Sequence, residues 1–424
     1  MPEQRGGRFP GRWNNWKTMV AGGLLIFSHT VWASFTIPGY ELIYNAPTET
    51  ALNADDLRQP DEVWVQMFDG AQHSIALGQF YVANQAGSKL DRVLQHLRKA
   101  GERGVKIRML MEEKGVRIST PETLAQLRAI PNLELRILPY HRLSGGILHA
   151  KYILVDGKQG YMGSQNLDWR ALEHIHETGL LIGDPRVVGQ MQAIFEQDWR
   201  AQQALQRNEL VAPLPADETV NAGQQRPANY LVASPKAFNP AGIPDSQEEL
   251  THLLAAAQQR IRVQVMDYVP LSYGPERSRP YYAVIDTALR SAAARGVQIE
   301  LMVSDWSTKR PNISYLKSLA MLPNVQIKIV TIPEASDGFI PFARVIHSKI
   351  MTIDEQKTWV GTSNWSGGYL DNSRNLEVIM QNSDMTARVD KLYEQLWNSR
   401  YAQPLRIDYD YPTPAPGGAS GAQE

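Results

Sequence analysis

The chain repeats itself. His149, Lys151, Asp156, Gly163 and Asn166 recur 198 residues later as His347, Lys349, Asp354, Gly361 and Asn364. One such array arises by chance; two in one register mean a duplicated half, with a site to which both copies contribute. The repeat runs beyond the motif. Residues 104–109 return as 296–301 and residues 131–137 as 323–329, both shifted by 192, whereas Trp199 matches Trp397 at 198. The drift places a six-residue insertion before His347, around 335–343, where it borders the second motif.

Periodicity supplies the elements. In the first half residues 60–71 read as a helix with Pro60 at its start, and 74–82 as a strand. Leu90, Val93, Leu94 and Leu97 mark an amphipathic helix ended by Gly101 and Gly104, and 105–111, 133–138 and 150–155 are short apolar strands. The second half follows the same order, with strands at 261–268, 297–303 and 325–330 around a helix marked by Val284, Ile285 and Ala288. Strands alternating with helices predict an α/β fold, one sheet per half covered by helices on both faces. The expected organisation is a first half over 34–205, a connector over 206–246 from which 230–234 could dock on the body, a second half over 247–403 and a disordered Pro-, Gly- and Ala-rich tail over 404–424. Residues 1–33 place Arg5, Arg8, Arg12 and Lys17 before an apolar run and end in Val31-Trp32-Ala33. They read as a signal peptide or an N-terminal membrane anchor, which predicts an exported protein, periplasmic, secreted or lumenal, whose N-terminus can associate with a membrane.

Composition removes several chemistries. A net charge of −1 excludes a global basic field for bulk nucleic-acid binding, and the absence of cysteine excludes disulfides, thiolate nucleophiles and Cys-based zinc sites. The motifs point elsewhere. Residues at i and i+2 of a strand share a face, so His149 with Lys151, and His347 with Lys349, each present imidazole beside ammonium. Asp156 and Asp354, seven residues past each histidine, read as structural groups that orient a turn, and Gly163 and Gly361 as positions of close backbone approach. Ser164, Asn166, Thr362 and Asn364 offer hydroxyls and amides to anionic oxygens, which with two lysines makes a phosphate clamp. Two histidines then supply a nucleophile and a general acid, with Glu177 and Glu377 expected on the second ring nitrogens. The lysines neutralise the charge a metal would otherwise handle, so no cofactor is called for. Phe80, Tyr81 and Tyr268, at the ends of equivalent strands, are candidates for base stacking.

These residues carry the signature His-x-Lys-x4-Asp followed by Gly-Ser/Thr-x-Asn, and over about 55–400 the chain resembles the phospholipase D superfamily. Leu148-His149-Ala150-Lys151 with 163–170, 265–270, Phe342-Ala343-Arg344-Val345 and 361–367 are similar to the branch of lysosomal single-strand five-prime exonucleases and poxvirus envelope relatives. The lack of cysteines departs from its animal members. The resemblance implies two pseudo-symmetric α/β/α sandwich halves packed with the active site at their interface, and a phosphohistidine mechanism without a metal. Precedent in the superfamily favours His149 as nucleophile and His347 as acid, and the near-symmetry of the copies leaves the reverse open. The expected partner is a phosphodiester substrate, single-stranded nucleic acid cut from its five-prime end; the alternatives are a phospholipase D or phosphatidyltransferase acting on phospholipid, and a non-catalytic envelope or scaffold protein.

Overall fold

The computed structural model describes residues 34–215, 217–220, 224–272 and 280–418; the expected signal or anchor over 1–33 lies outside them. Two eight-stranded sheets are built on one plan. In spatial order the first runs Thr36–Ile37, Tyr40–Asn45, Glu177–Ile182, Gln159–Gly163, Tyr152–Val155, Ser74–Gln79, Lys106–Glu112, Leu133–Leu138. The second runs Asn229–Ser234, Asn375–Gln381, Lys357–Gly361, Ile350–Ile353, Arg260–Gln264, Gln298–Ser304, Val325–Val330, Ala402–Pro404. Seven strands correspond pairwise, and each sheet adds one edge strand of its own.

Period two decides what each strand buries. Leu42 and Tyr44 face the core between the sheets, and Ile43 the outer core; Tyr152 and Leu154 face inward, Ile153 and Val155 outward. The second sheet does the same with Val378 and Met380 against Ile379. The helices Pro185–Gln206 and Ser383–Trp397 supply Val187, Met191, Phe195, Met385, Val389 and Leu392 to the shared middle core. Pro60–Gly70 and Lys89–Glu102 cover the first sheet from outside, and Ser246–Ala256 and Ala283–Ala294 the second. The result is the expected pair of α/β/α sandwiches, with the two central helices between the sheets.

Two expected segments read differently. The connector over 206–246 contains the strand Asn229–Ser234, which pairs antiparallel with Asn375–Gln381 as Tyr40–Asn45 pairs with Glu177–Ile182. It is therefore the duplicate of that edge strand and belongs to the second half, which starts before 247. The tail over 404–418 packs on the body, and 419–424 lie outside the described residues. Leu405 and Tyr411 pack on the second outer core, Leu405 N–H donates to the Ile327 carbonyl at 2.8 Å, and Phe342 N–H to that of Pro416 at 2.7 Å. Pro and Gly dominate the tail's composition and mask these few anchoring apolar residues. The 335–343 insertion docks across the halves, Arg170 donating to the Pro341 carbonyl at 3.0 Å and Ser336 N–H to the Glu49 carboxylate at 2.8 Å. Among the described residues no helix is long and apolar enough to cross a membrane.

Candidate active site

The motif's aspartates close turns. Asp156 and Asp354 sit at positive φ (54° and 52°). Each carboxylate accepts three consecutive backbone N–H groups at 2.8 Å, from Gln72, His73 and Ser74 in one half and from Gln258, Gln259 and Arg260 in the other. They tie the turn after the motif strand to the start of its neighbour, far from the reacting groups. Gly163 and Gly361 are fixed by close packing: a Cβ would come within 2.3 Å of the Gln165 side chain at the first and 2.4 Å of the Glu377 side chain at the second.

The histidine–lysine segments precede their strands in extended backbone and are held by the opposite half. His149 and Ala150 N–H donate to the Arg374 carbonyl at 3.0 and 2.8 Å, and His347 and Ser348 N–H to the His176 carbonyl at 2.9 and 3.0 Å. Position 374 lies 198 residues after 176, so one exchange is made twice about the pseudo-twofold axis. Lys151 Nζ donates to the His149 carbonyl, and Lys349 Nζ to that of His347 at 2.6 Å, which aims each ammonium beside its own imidazole.

The ring nitrogens break the symmetry. His347 Nδ1 lies 2.9 Å from both oxygens of Glu177, a residue of the first half. His149 Nδ1 lies 3.0 Å from Asn375 Oδ1, a residue of the second. Glu377, expected to hold a ring nitrogen, does not reach one; it is buried two residues farther along the strand and accepts from Ser246 and Ser363. The expectation matched glutamate to glutamate, whereas the 198-residue period carries Glu177 onto Asn375 and Gly179 onto Glu377. The signal was in the register, not in the residue type.

The two hydroxyls expected on phosphate are spent inward. Ser164 donates to the Thr178 carbonyl and accepts from its N–H, both at 3.1 Å. Thr362 donates to Asn375 Oδ1 at 2.9 Å and accepts from Leu376 N–H at 3.1 Å. Both are fully buried, because their short side chains follow the glycine into the sheet. Asn166 and Asn364 are placed otherwise: each is buried, and among the described residues neither Oδ1 has a hydrogen-bond partner. An amide oxygen only accepts, so it is the NH2 end of each side chain that can donate to an anionic oxygen.

Of the aromatic candidates, Phe80 stands beside the motif, its ring centroid 5.6 Å from that of His149 and 5.5 Å from Lys151 Nζ. Tyr81 stacks edge-on against Phe80 and donates to Asp168 at 2.7 Å, which ties it to the wall rather than to a base. Tyr268 is core, 1% exposed with its hydroxyl bonded to Asp286, and is withdrawn as a stacking residue. Tyr369, which pattern reasoning passed over, meets His149 edge-on at 4.8 Å from the opposite side of the duplication.

Burial and crowding set the charges. Burial first, then Lys151 and Lys349, hold the His149 imidazole well below its ordinary value; burial, Lys349 and Lys151 do the same to His347. Burial pulls Lys349 down to about 7 and pushes Glu177 up to about 7. Burial lowers all four basic groups, the lysines add to it at both histidines and Lys349 adds to it at Lys151, and an entering anion opposes that discharge. An anion bound here would raise the pKa of Lys349, so protons would be taken up and affinity would fall as pH climbs past the free-site value. KM followed over roughly pH 5 to 9 is expected to stay low up to neutrality and rise beyond it; a KM flat through that range contradicts this electrostatic account.

A family model described as "Cardiolipin synthase, PLD-like domain" matches residues 64–199 and 250–397, one stretch in each half. The chain is 31% identical to Phospholipase D Z of Dictyostelium discoideum over 84% of its length and 88% of that protein. It is 29% identical to the Homo sapiens 5'-3' exonuclease PLD4, over 80% of its length and 73% of that protein. In fold it is similar to phosphatidylserine synthase of Haemophilus influenzae, with a TM-score of 0.56 at 10% identity over 81% of this chain and 85% of the other.

Proposed function

This chain belongs to the phospholipase D superfamily and is a phosphodiesterase of it, and from that membership we propose a phosphohistidine mechanism acting on single-stranded nucleic acid from its five-prime end. The observation that carries the mechanism is the unequal support of two otherwise equivalent histidines. At His347 the Glu177 carboxylate opposes the discharge by burial and the lysines and so favours the imidazolium, which suits the acid. His149 has only a neutral amide at Nδ1 and stays uncharged, which suits the nucleophile. In the first step His149 Nε2 forms a bond to phosphorus, the P–O bond to the leaving nucleoside breaks, and the alkoxide takes the proton of His347 Nε2. In the second, water gives its proton back to His347 as it attacks phosphorus, and the N–P bond breaks. Lys151, Lys349 and the two motif asparagines line the place for the phosphoryl oxygens.

Nucleic acid is favoured by Phe80 and Tyr369, two half-buried aromatic rings from different halves beside the attacking imidazole, and by the exonuclease names among the relatives. Phospholipid is the second reading. It is favoured by Phe339, half exposed on the insertion, and by the relative named phospholipase D. The deciding experiment gives the full-length protein, in EDTA, a 3′-labelled single-stranded oligonucleotide and, separately, a headgroup-labelled phospholipid with a primary alcohol. A ladder shortening from the five-prime end is expected. An intact oligonucleotide beside a transferred headgroup replaces this reading with the lipid one. The basic and apolar N-terminal segment supports activity in an exported compartment.

A further inference from the structure

We infer that Asn375 is a positioning residue that locks the neutral tautomer of His149 and sets the acid limb of the pH profile. The inference rests on the two-histidine reading and deepens it. Asn375 occupies the position that Glu177 occupies in the other copy, 198 residues on. Three hydrogen bonds leave its amide a single orientation. The Tyr369 carbonyl can only accept, and the Asn375 atom 2.9 Å from it must therefore be the NH2 group. Oδ1 then points the other way, where it accepts from the Thr362 hydroxyl at 2.9 Å and faces His149 Nδ1 at 3.0 Å. An acceptor at Nδ1 requires the proton there, so the lone pair of the neutral ring sits on Nε2, the nitrogen that attacks.

A carboxylate would impose the same tautomer, and the difference lies in charge. Glu177 stabilises an imidazolium at His347; the amide of Asn375 orients His149 without making it more basic. The groups facing His149 act in the same sense. Lys151 on its own segment and Lys349 and His347 from the second half all disfavour a positive charge on the ring. Two buried acids of the region are committed elsewhere, Glu177 to His347 and Glu112 to the backbone N–H of Leu148 at 2.7 Å. A duplicated pair of histidines with equal partners would compete for both roles. One amide in place of one carboxylate assigns them.

The test is Asn375→Asp in the full-length protein, assayed for kcat/KM on bis(p-nitrophenyl) phosphate across pH, with Asn375→Leu alongside. The nucleophile must be neutral, so activity rises with pH through the pKa of His149. A carboxylate beside the ring raises that pKa, and the acid limb of Asn375→Asp is expected to move up by about one to two pH units. Asn375→Leu is expected to lose rate at every pH without moving the limb, since it removes the lock and adds no charge. A merely structural Asn375 would lower both variants' rates and leave both profiles in place, and that result overturns the inference. If no diester is cleaved by the wild type, the two-histidine reading has failed, and the lock is judged by 15N NMR of the histidine rings. Nδ1–H at His149 in the wild type, lost in Asn375→Leu, upholds it; an Nε2–H ring in the wild type rejects it.

Discussion

His149→Ala is expected to lower kcat on any phosphodiester by about 10⁵-fold, the scale on which removing the nucleophile of a covalent mechanism acts. His347→Ala is expected to cost about 10²–10⁴-fold on a substrate with an alkoxide leaving group, the range of a lost general acid. The leaving group separates the two roles. p-Nitrophenolate departs without a proton, so His347→Ala should still form the phosphohistidine from bis(p-nitrophenyl) phosphate. It should then stall, because nothing activates water for the second step. The expected record is a burst of one p-nitrophenolate per protein followed by a slow phase, with acid-labile phosphate left on the chain. His149→Ala should show no burst. A burst from His149→Ala and none from His347→Ala would exchange the roles and remove the basis for Asn375 as the lock of the nucleophile. Both thermal midpoints should stay within about 3 °C of the wild type, since each change deletes a desolvated polar ring from a site rather than a side chain from an apolar core.

Much of this arrangement was legible because the duplication is itself a geometric statement. A repeat in register predicts two like halves, and strand-helix alternation predicts a sheet in each. The paired His-x-Lys segments mark where the halves meet. Asp156 and Asp354 followed from parity alone. What stayed hidden depends on contacts between distant segments. Nothing local to Glu177 shows that it serves the histidine of the other copy, 170 residues away. Ser164 and Thr362 look like phosphate ligands in a motif, yet a residue that follows a tightly packed glycine into a sheet turns its hydroxyl to the neighbouring strand. Tyr268 matches Tyr81 by position but ends in the core, because Asp286 on the following helix captures its hydroxyl. The strand Asn229–Ser234 was concealed by its polar flanks; its counterpart in the first half, Tyr40–Asn45, is the signal that marks it.

A duplicated position that diverged carries the second large effect. His176 in the first half becomes Arg374 in the second, and the backbone duty of each is the same, a carbonyl that holds the opposite histidine segment. The side chains differ. His176 is buried between Ser348 and Gln264, whereas Arg374, fully buried, makes a two-pronged ion pair with Asp198 at 2.9 Å. Its remaining donors go to the carbonyls of Ser234 and Phe238 and to Asn239. One guanidinium thus joins the long helix of the first half, the edge strand of the second and the strand that bears Asn375. Arg374→Met is expected to cost about 3–5 kcal/mol, because it leaves a buried carboxylate and several acceptors without partners. Urea denaturation should show a lowered midpoint with turnover reduced as well, in contrast to the histidine variants, which lose turnover alone. The pH dependence carries its own sign. With the arginine gone, burial alone acts on Asp198, and its folded pKa rises further above the unfolded value of about 3.9. The destabilisation is then full above that raised pKa and shrinks as pH falls through it, since a neutral carboxyl tolerates burial. Asp198→Leu added to Arg374→Met removes the stranded charge and should recover part of the loss at neutral pH. A double variant no more stable than Arg374→Met would mean that the cost lies in the unpaired carbonyls of Ser234 and Phe238 rather than in the broken ion pair.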